Sequence, residues 1–333
     1  KDGKGGLRDL HTLFWISKYL YQVNQFSDLV GLGLIAPGEQ TKFSKAENFL
    51  WRVRAHLHIL SGRAEDRLSF DAQPEIARRI GYADRSGNLA VERFMKHYFL
   101  IAKSVGELTR VLCASLEEDR IEDAPRRIGA FGPSPTTDCI KTSKGRLTVV
   151  HELAFDEKPA RLIKLFRLAQ TSGLDIHPRT LRLVHQRLPL INQNLRDNNE
   201  ANEIFFKILT YHQEPDIVLR QMIESGVLGR FIPEFGQIIG QVQFDMYHVY
   251  TVDEHTIQAI SILSKIERGE LRSELPLATE MIVNIISRQV LYLSLFCHDL
   301  AKGKANNHSE TGALIAKNLA TRLGFSDEQS DQT

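Results

Sequence analysis

Apolar residues recur at helical spacing along most of the chain. Leu10, Leu13, Phe14, Ile16, Tyr19, Leu20 and Val23 set out one helix. A second runs from about Ser44 to Ser61, with Gly62 standing where it should stop. A third, from Glu92 to roughly Asp119, carries the stripe Phe94, Tyr98, Ile101, Val105, Leu108, Val111 and Leu112, and the three together predict a packed bundle. Between Ile128 and Phe155 the period changes. Gly129, Gly132, Pro133, Pro135 and Gly145 punctuate β-favouring runs such as Leu147 to Val150, which predicts a hairpin or small sheet near 128–155. Helical spacing resumes over 159–172, breaks at Gly173, and returns over 178–188, 201–209 and 217–224. The last part predicts helices over 251–268, 278–302 and 309–323, with Gly303 and Gly324 suited to helix C-termini. The expected fold is mainly α: helical bundles, a small β element, and an all-α domain at the C-terminal end. Its expected divisions are 1–125, 126–240 and 241–333.

Composition narrows the function classes. With 333 residues, 42% of them hydrophobic and 25% charged, the chain is ordinary globular material, long enough for two or three packed units. Its 42 basic and 41 acidic residues leave a net charge of +1, so no global field favours nucleic acid or an anionic membrane. Cys113, Cys139 and Cys297 lack any CxxC spacing and read as structural free thiols of a reducing cytosol. No apolar run reaches the roughly 20 residues that span a bilayer, and no signal-peptide pattern opens the chain, so a cytoplasmic protein is expected. Lys1 is not an initiator methionine, and the first and last residues read as cuts within something longer.

Candidate chemistry centres on the doublet His298 and Asp299, inside the apolar run Val290 to Ala301, with His255 upstream and His308 downstream. Successive helix residues point about 100° apart, so the doublet cannot form a same-face pair, yet both side chains can grip one ion against that edge. His255, on a separate helix with Ile257, Ile260 and Leu263, would supply a ligand from across the bundle. Lys302, three residues past Asp299, is suited to a phosphate oxygen, and His308 follows a short turn that could aim it at the same pocket. A lone buried histidine is usually a hydrogen-bonded core residue, and that is the better reading of His255 by itself. A carboxylate in an apolar run is different, because burying it unpaired costs several kcal/mol. A cation is one partner for it and Lys302 is another. A mixed imidazole and carboxylate set suits manganese, iron or zinc, and magnesium where water fills most positions.

The spacing of His255 and His298-Asp299 resembles the HD phosphohydrolase superfamily. Longer strings are more specific: Gly5-Gly6-Leu7-Arg8-Asp9-Leu10-His11-Thr12-Leu13, His151-Glu152-Leu153-Ala154-Phe155-Asp156-Glu157-Lys158-Pro159, Tyr247 to His255, and His298-Asp299-Leu300-Ala301-Lys302-Gly303. In this order, over essentially the whole chain, they resemble the bacterial PII uridylyltransferases/uridylyl-removing enzymes. The resemblance implies an HD-type domain over 241–333, cut short at its C-terminal end. His255, His298 and Asp299 would hold a divalent metal, magnesium or manganese, and Lys302 and His308 would act in catalysis. The reaction implied is hydrolysis of the UMP-tyrosyl phosphodiester on the PII signal-transduction protein, paired with uridylylation of PII from UTP. The transferase carboxylates would lie before Lys1, while the last acidic HD ligand and two glutamine-sensing ACT domains would lie beyond Thr333.

Three further features are weighed on the same basis. Gly5, Gly6, Arg8 and Asp9 read as a nucleotide-binding turn, since glycines before a helix present N–H groups to phosphate, although such turns are common without one. The stretch Pro159 to Ala169 resembles the helical body of tRNA nucleotidyltransferases and poly(A) polymerases, in which Arg161 and Arg167 would support a nucleotide; a solvated helix face is the plainer account. The run Arg54 to Arg67 reads as an ion-paired surface. Two rival functions remain at this point. One is a tRNA nucleotidyltransferase carrying an HD domain, which the charge balance disfavours, and the other is a regulatory scaffold with a vestigial HD fold.

Overall fold

The computed structural model describes residues 4–85, 87–121, 138–244, 250–302 and 308–333. The chain divides into two compact units, Lys1–Ala130 with Gly240–Tyr247, and Phe131–Ile239 with His248–Thr333. Among the described residues each is helical, and the second adds one two-stranded sheet.

In the first unit the helix Leu7–Tyr21 buries Leu10, Leu13 and Ser17, one face at intervals of three and four. Helix Pro37–Ser61 starts earlier than its apolar pattern predicts. Pro37 fits the first helical turn, and the Glu39 carboxylate accepts the Ala36 N–H at 2.6 Å, so the polar stretch before Phe43 is helical without an apolar signal. Gly62, at φ +64°, ends it as expected. The long helix Ala90–Ile121 buries Phe94, Val105, Leu108 and Leu112 of its stripe, with Tyr98 and Ile101 partly covered. The shorter helix Gln73–Ile80 adds Ile76 and Ala77 to the same core.

The second unit opens with the hairpin Ile140–Ser143 and Arg146–Val149, antiparallel, pairing Ile140 with Val149 and Ser143 with Arg146. Lys144 and Gly145 both have positive φ, the two-residue turn whose twist matches paired strands. Residues 128–137 of the expected β region lie outside the described residues. Leu147 is then fixed from its other side, its N–H on Asp175 O and its carbonyl accepting the His177 N–H, each at 2.8 Å. Helices Arg161–Ser172, Asn199–Leu209, Pro215–Glu224, Val252–Glu267, Arg288–Cys297 and His308–Arg322 close around one core that includes Phe155, Phe166, Phe205, Phe231, Phe235 and Phe296. The parts read from sequence as 126–240 and 241–333 thus share a single interior. Periodicity shows which face of a helix is apolar, not which neighbour covers it.

The helix expected over 278–302 is broken. Pro276–Met281 and a 3₁₀ turn at Ile282–Asn284 precede Ser287, whose side chain accepts the Val290 N–H at 3.3 Å and starts a new helix, Arg288–Cys297. Val283 and Ile286, which helped the apolar pattern, face solvent. The doublet also falls outside the helix. His298 to Lys302 form tight turns, with Leu300 N–H on Cys297 O at 3.0 Å and Lys302 N–H on Asp299 O at 3.1 Å.

Candidate metal centre

The helix carrying His255 and the helix that ends just before the doublet pack against each other, and two anchors set their placement. Phe296, fully buried, stacks on Phe235 at 5.1 Å and meets Phe205 edge-on at 5.9 Å, which fixes the helix end just before His298. Ile257 and Ile260, fully buried, fix the helix that bears His255. At the far ends Glu267 takes the guanidinium of Arg288 and the hydroxyl of Tyr292, the latter at 2.9 Å, while Arg288 also donates to Thr210 O at 2.7 Å. The helices therefore run antiparallel, clamped by Glu267 and Arg288 at one end and presenting His255, His298 and Asp299 at the other. His255 and Glu267 are twelve residues apart, about 18 Å along the axis. Burial and the Glu267 contact push the Tyr292 hydroxyl up to about 12, so it stays a donor at any physiological pH.

Asp299 is the buried member, its side chain 8% exposed against 48% for His255 and 33% for His298. Its Oδ2 lies 3.1 Å from His298 Nε2, 3.9 Å from His255 Nε2 and 2.8 Å from Lys302 Nζ. The two imidazole rings are 5.6 Å apart, and one ligand atom from each of the three residues lies within 4.8 Å of the others. Burial pushes the Asp299 carboxyl up, but His298 and Lys302 outweigh it and hold the group at about 2. The His298 imidazole is raised above its ordinary value by the same carboxylate, against burial.

A cation fits this donor set. Asp299 Oδ2 is buried and, despite its charged neighbours, has no partner in directional hydrogen-bond geometry, the condition of an oxygen with a lone pair left for an ion. His298 Nδ1 lies 2.6 Å from Leu295 O, which places a ring proton there and leaves Nε2, facing Asp299, as the nitrogen a cation would take. Lys302 meets Oδ2 directly, so its ammonium stands at the oxygen that a cation would need. That contact comes from the turn at 299–302 rather than from a helix face. His308 opens the helix His308–Arg322, but its side chain and residues 303–307 lie outside the described residues.

The other sequence candidates have different surroundings. Gly5 donates its N–H to Asp9 Oδ2 at 2.5 Å, so the carboxylate of Asp9 stands where a phosphate would approach this helix N-terminus. Arg8 is exposed. Arg161, its side chain 9% exposed, donates to Ala154 O at 2.7 Å, Glu157 at 3.0 Å and Asp138 at 2.8 Å, which makes it a buried tie rather than a solvated face. Arg167 lies over the Tyr211 ring and donates to Lys207 O at 3.0 Å. The run Arg54 to Arg67 is ion-paired at the surface, with Arg54 on Asp66 at 2.8 Å and Arg63 on Glu65 at 3.1 Å.

Family models fix the lineage. One described as GlnD PII-uridylyltransferase matches residues 1–113, and another, the uridylyltransferase GlnD third domain, matches residues 141–231. A bifunctional uridylyltransferase/uridylyl-removing enzyme of Azospirillum brasilense is 50% identical over 335 residues, covering 99% of this chain and 36% of that protein. One of Rhodospirillum rubrum is 49% identical over 341 residues, covering 99% of this chain and 35% of its own. The chain belongs to the GlnD PII-uridylyltransferase family. It spans about a third of the length of the curated relatives it matches. Both family models end before His255, and the two relatives' alignments take in 99% of the chain. Among the described residues, no helix of this GlnD-family chain is long and apolar enough to cross a membrane.

The sequence reading missed Glu267, Arg288 and Tyr292; the first two signal only as an ionisable residue at the end of each of two apolar helices. The cysteine next to the doublet adds a testable consequence. Burial pushes the Cys297 thiol up to about 12, and only thiolate reacts quickly. In a variant with serine at 113 and 139, an aromatic disulfide reagent at pH 8 is expected to label no thiol until denaturant is added, as read from absorbance against time. Prompt labelling of the folded protein would contradict the packing around Phe296.

Proposed function

We propose that this chain is the portion of a bifunctional PII uridylyltransferase/uridylyl-removing enzyme that holds most of the hydrolytic site. The reading rests on one observation: His255 from one helix and His298 with Asp299 after another converge on a single buried carboxylate oxygen. The full enzyme would transfer UMP from UTP to PII, and this region would remove it by cleaving the UMP-tyrosyl phosphodiester. Glutamine would act through ACT domains outside this chain, and the setting would be cytoplasmic.

His255 Nε2, His298 Nε2 and Asp299 Oδ2 would hold the cation, magnesium or manganese. When bound, such an ion polarises a phosphoryl oxygen and lowers the pKa of a water that attacks phosphorus. The contact between His298 Nδ1 and Leu295 O fixes Nε2 as the ligating nitrogen, which would give up its proton when the ion binds. Lys302, displaced from Oδ2 by the ion, would place its ammonium against the negative charge of the transition state, with His308 a second candidate for that role. Gly5, Gly6, Arg8 and Asp9 have no assigned part in hydrolysis. With the full-length enzyme, a chelator is expected to stop UMP release from uridylylated PII, and added manganese or magnesium to restore it. Release that persists at full rate after exhaustive chelation would remove the basis of this reading.

A further inference from the structure

We infer that Cys139, His151 and Glu157 form a second cation site, of the thiolate, imidazole and carboxylate type that takes zinc, separate from the cluster around Asp299. Cys139 Sγ lies 3.8 Å from His151 Nε2, and that nitrogen lies 3.7 Å from Glu157 Oε1. One ligand atom from each residue lies within 4.8 Å of the others. Around a tetrahedral zinc ion with bonds of about 2.3 Å to sulfur and 2.0–2.1 Å to nitrogen and oxygen, adjacent ligand atoms stand roughly 3.4–3.6 Å apart. The two spacings about His151 need a contraction of only a few tenths of an ångström, and the Cys139–Glu157 pair, within 4.8 Å, one of at most about 1.3 Å.

The surrounding structure holds each ligand in place. Cys139 O accepts the Val150 N–H at 2.8 Å, which ties the cysteine to the residue preceding His151. Asp138 and Cys139 both have positive φ, at 56° and 65°, a conformation that two successive residues with side chains rarely share. Ala154 and Phe155, fully buried, anchor the turn between His151 and Glu157. Glu157 Oε2 accepts from Arg161 Nη1 at 3.0 Å, which leaves Oε1 on the His151 side. His151 and Glu157 are about half exposed, so a fourth position is open to water. Three protein ligands with an open fourth position, one of them a thiol, favour a borderline-soft ion such as zinc over magnesium. An ion there would link the base of the hairpin to the turn that follows it.

Cobalt(II) tests this directly, because sulfur ligation gives a near-ultraviolet thiolate-to-metal absorption that an imidazole and carboxylate site cannot. In the chelator-stripped chain the band is expected to saturate, at one cobalt per chain once the Asp299 cluster is removed by His298→Ala with Asp299→Asn, and to be displaced by zinc. It should vanish in Cys139→Ser. In His151→Ala the zinc dissociation constant should rise at least about tenfold, since even outer-shell partners are worth that much. Cys113→Ser, Cys297→Ser and the pair His298→Ala with Asp299→Asn should keep it, which separates this site from the hydrolytic reading. Absence of the band in the unaltered chain, or its survival in Cys139→Ser, overturns the assignment.

Discussion

In the full-length enzyme, His298→Ala combined with Asp299→Asn is expected to slow UMP release from uridylylated PII on the order of a thousandfold or more, with transfer of UMP onto PII unchanged. The alanine removes the imidazole whose tautomer is set by Leu295 O, and asparagine keeps the shape of Asp299 while removing its charge. Among the described residues, the cluster then keeps only His255, about half exposed and on the other helix. Lys302 also loses its partner, at 2.8 Å, so the thermal midpoint should be measured alongside both rates. Selective loss of hydrolysis in a folded protein is the expected result. Equal loss of both activities, or undiminished hydrolysis, would show that the doublet is not a separate hydrolytic centre.

Gly5→Ala is expected to destabilise the first unit by about 3 kcal/mol or more. A Cβ at residue 5 would stand 2.0 Å from Ala102 O and 2.6 Å from its carbonyl carbon, both backbone atoms of the long helix, which cannot swing aside like a side chain. The backbone there also has φ +85°, where alanine is strained. Gly6 is the natural control. It has extended dihedrals and open space where a Cβ would sit, so Gly6→Ala should stay within about 0.5 kcal/mol. Urea unfolding of both variants decides the matter. Comparable stability of the two would mean that the contact with Ala102 is looser than its geometry shows.

That contrast illustrates what the sequence could reveal. Two adjacent glycines before a helix look alike in one dimension, and only the approach of Ala102, 97 positions later, separates them. The helices were legible where apolar residues kept a period near 3.6, as in Leu10 to Ser17 or Phe94 to Leu112. They were misjudged where side chains break a pattern or extend one: Pro37 and Glu39 lengthened a helix through polar residues, and Ser287 split a stretch whose apolar positions partly face water. The doublet stood out because a charged pair in an apolar run is chemically conspicuous. The clamp between Glu267 and Arg288 did not, since residues 21 positions apart meet only once two helices lie antiparallel. Cys139 was read as structural because no CxxC spacing accompanies it, and its approach to His151, twelve positions on, comes only through the intervening hairpin.

The wedge of Phe296 between Phe205 and Phe235 bears on how this region can be cut and reassembled. A graft that moved residues 250–333 alone into another protein would strip the doublet of its aromatic floor and leave the Phe296 ring open to water. Native-state hydrogen exchange should accordingly find amides near Phe205 and near Leu293 opening together, as parts of one cooperative block. A transplant of this chemistry would have to carry residues 138–239 with it.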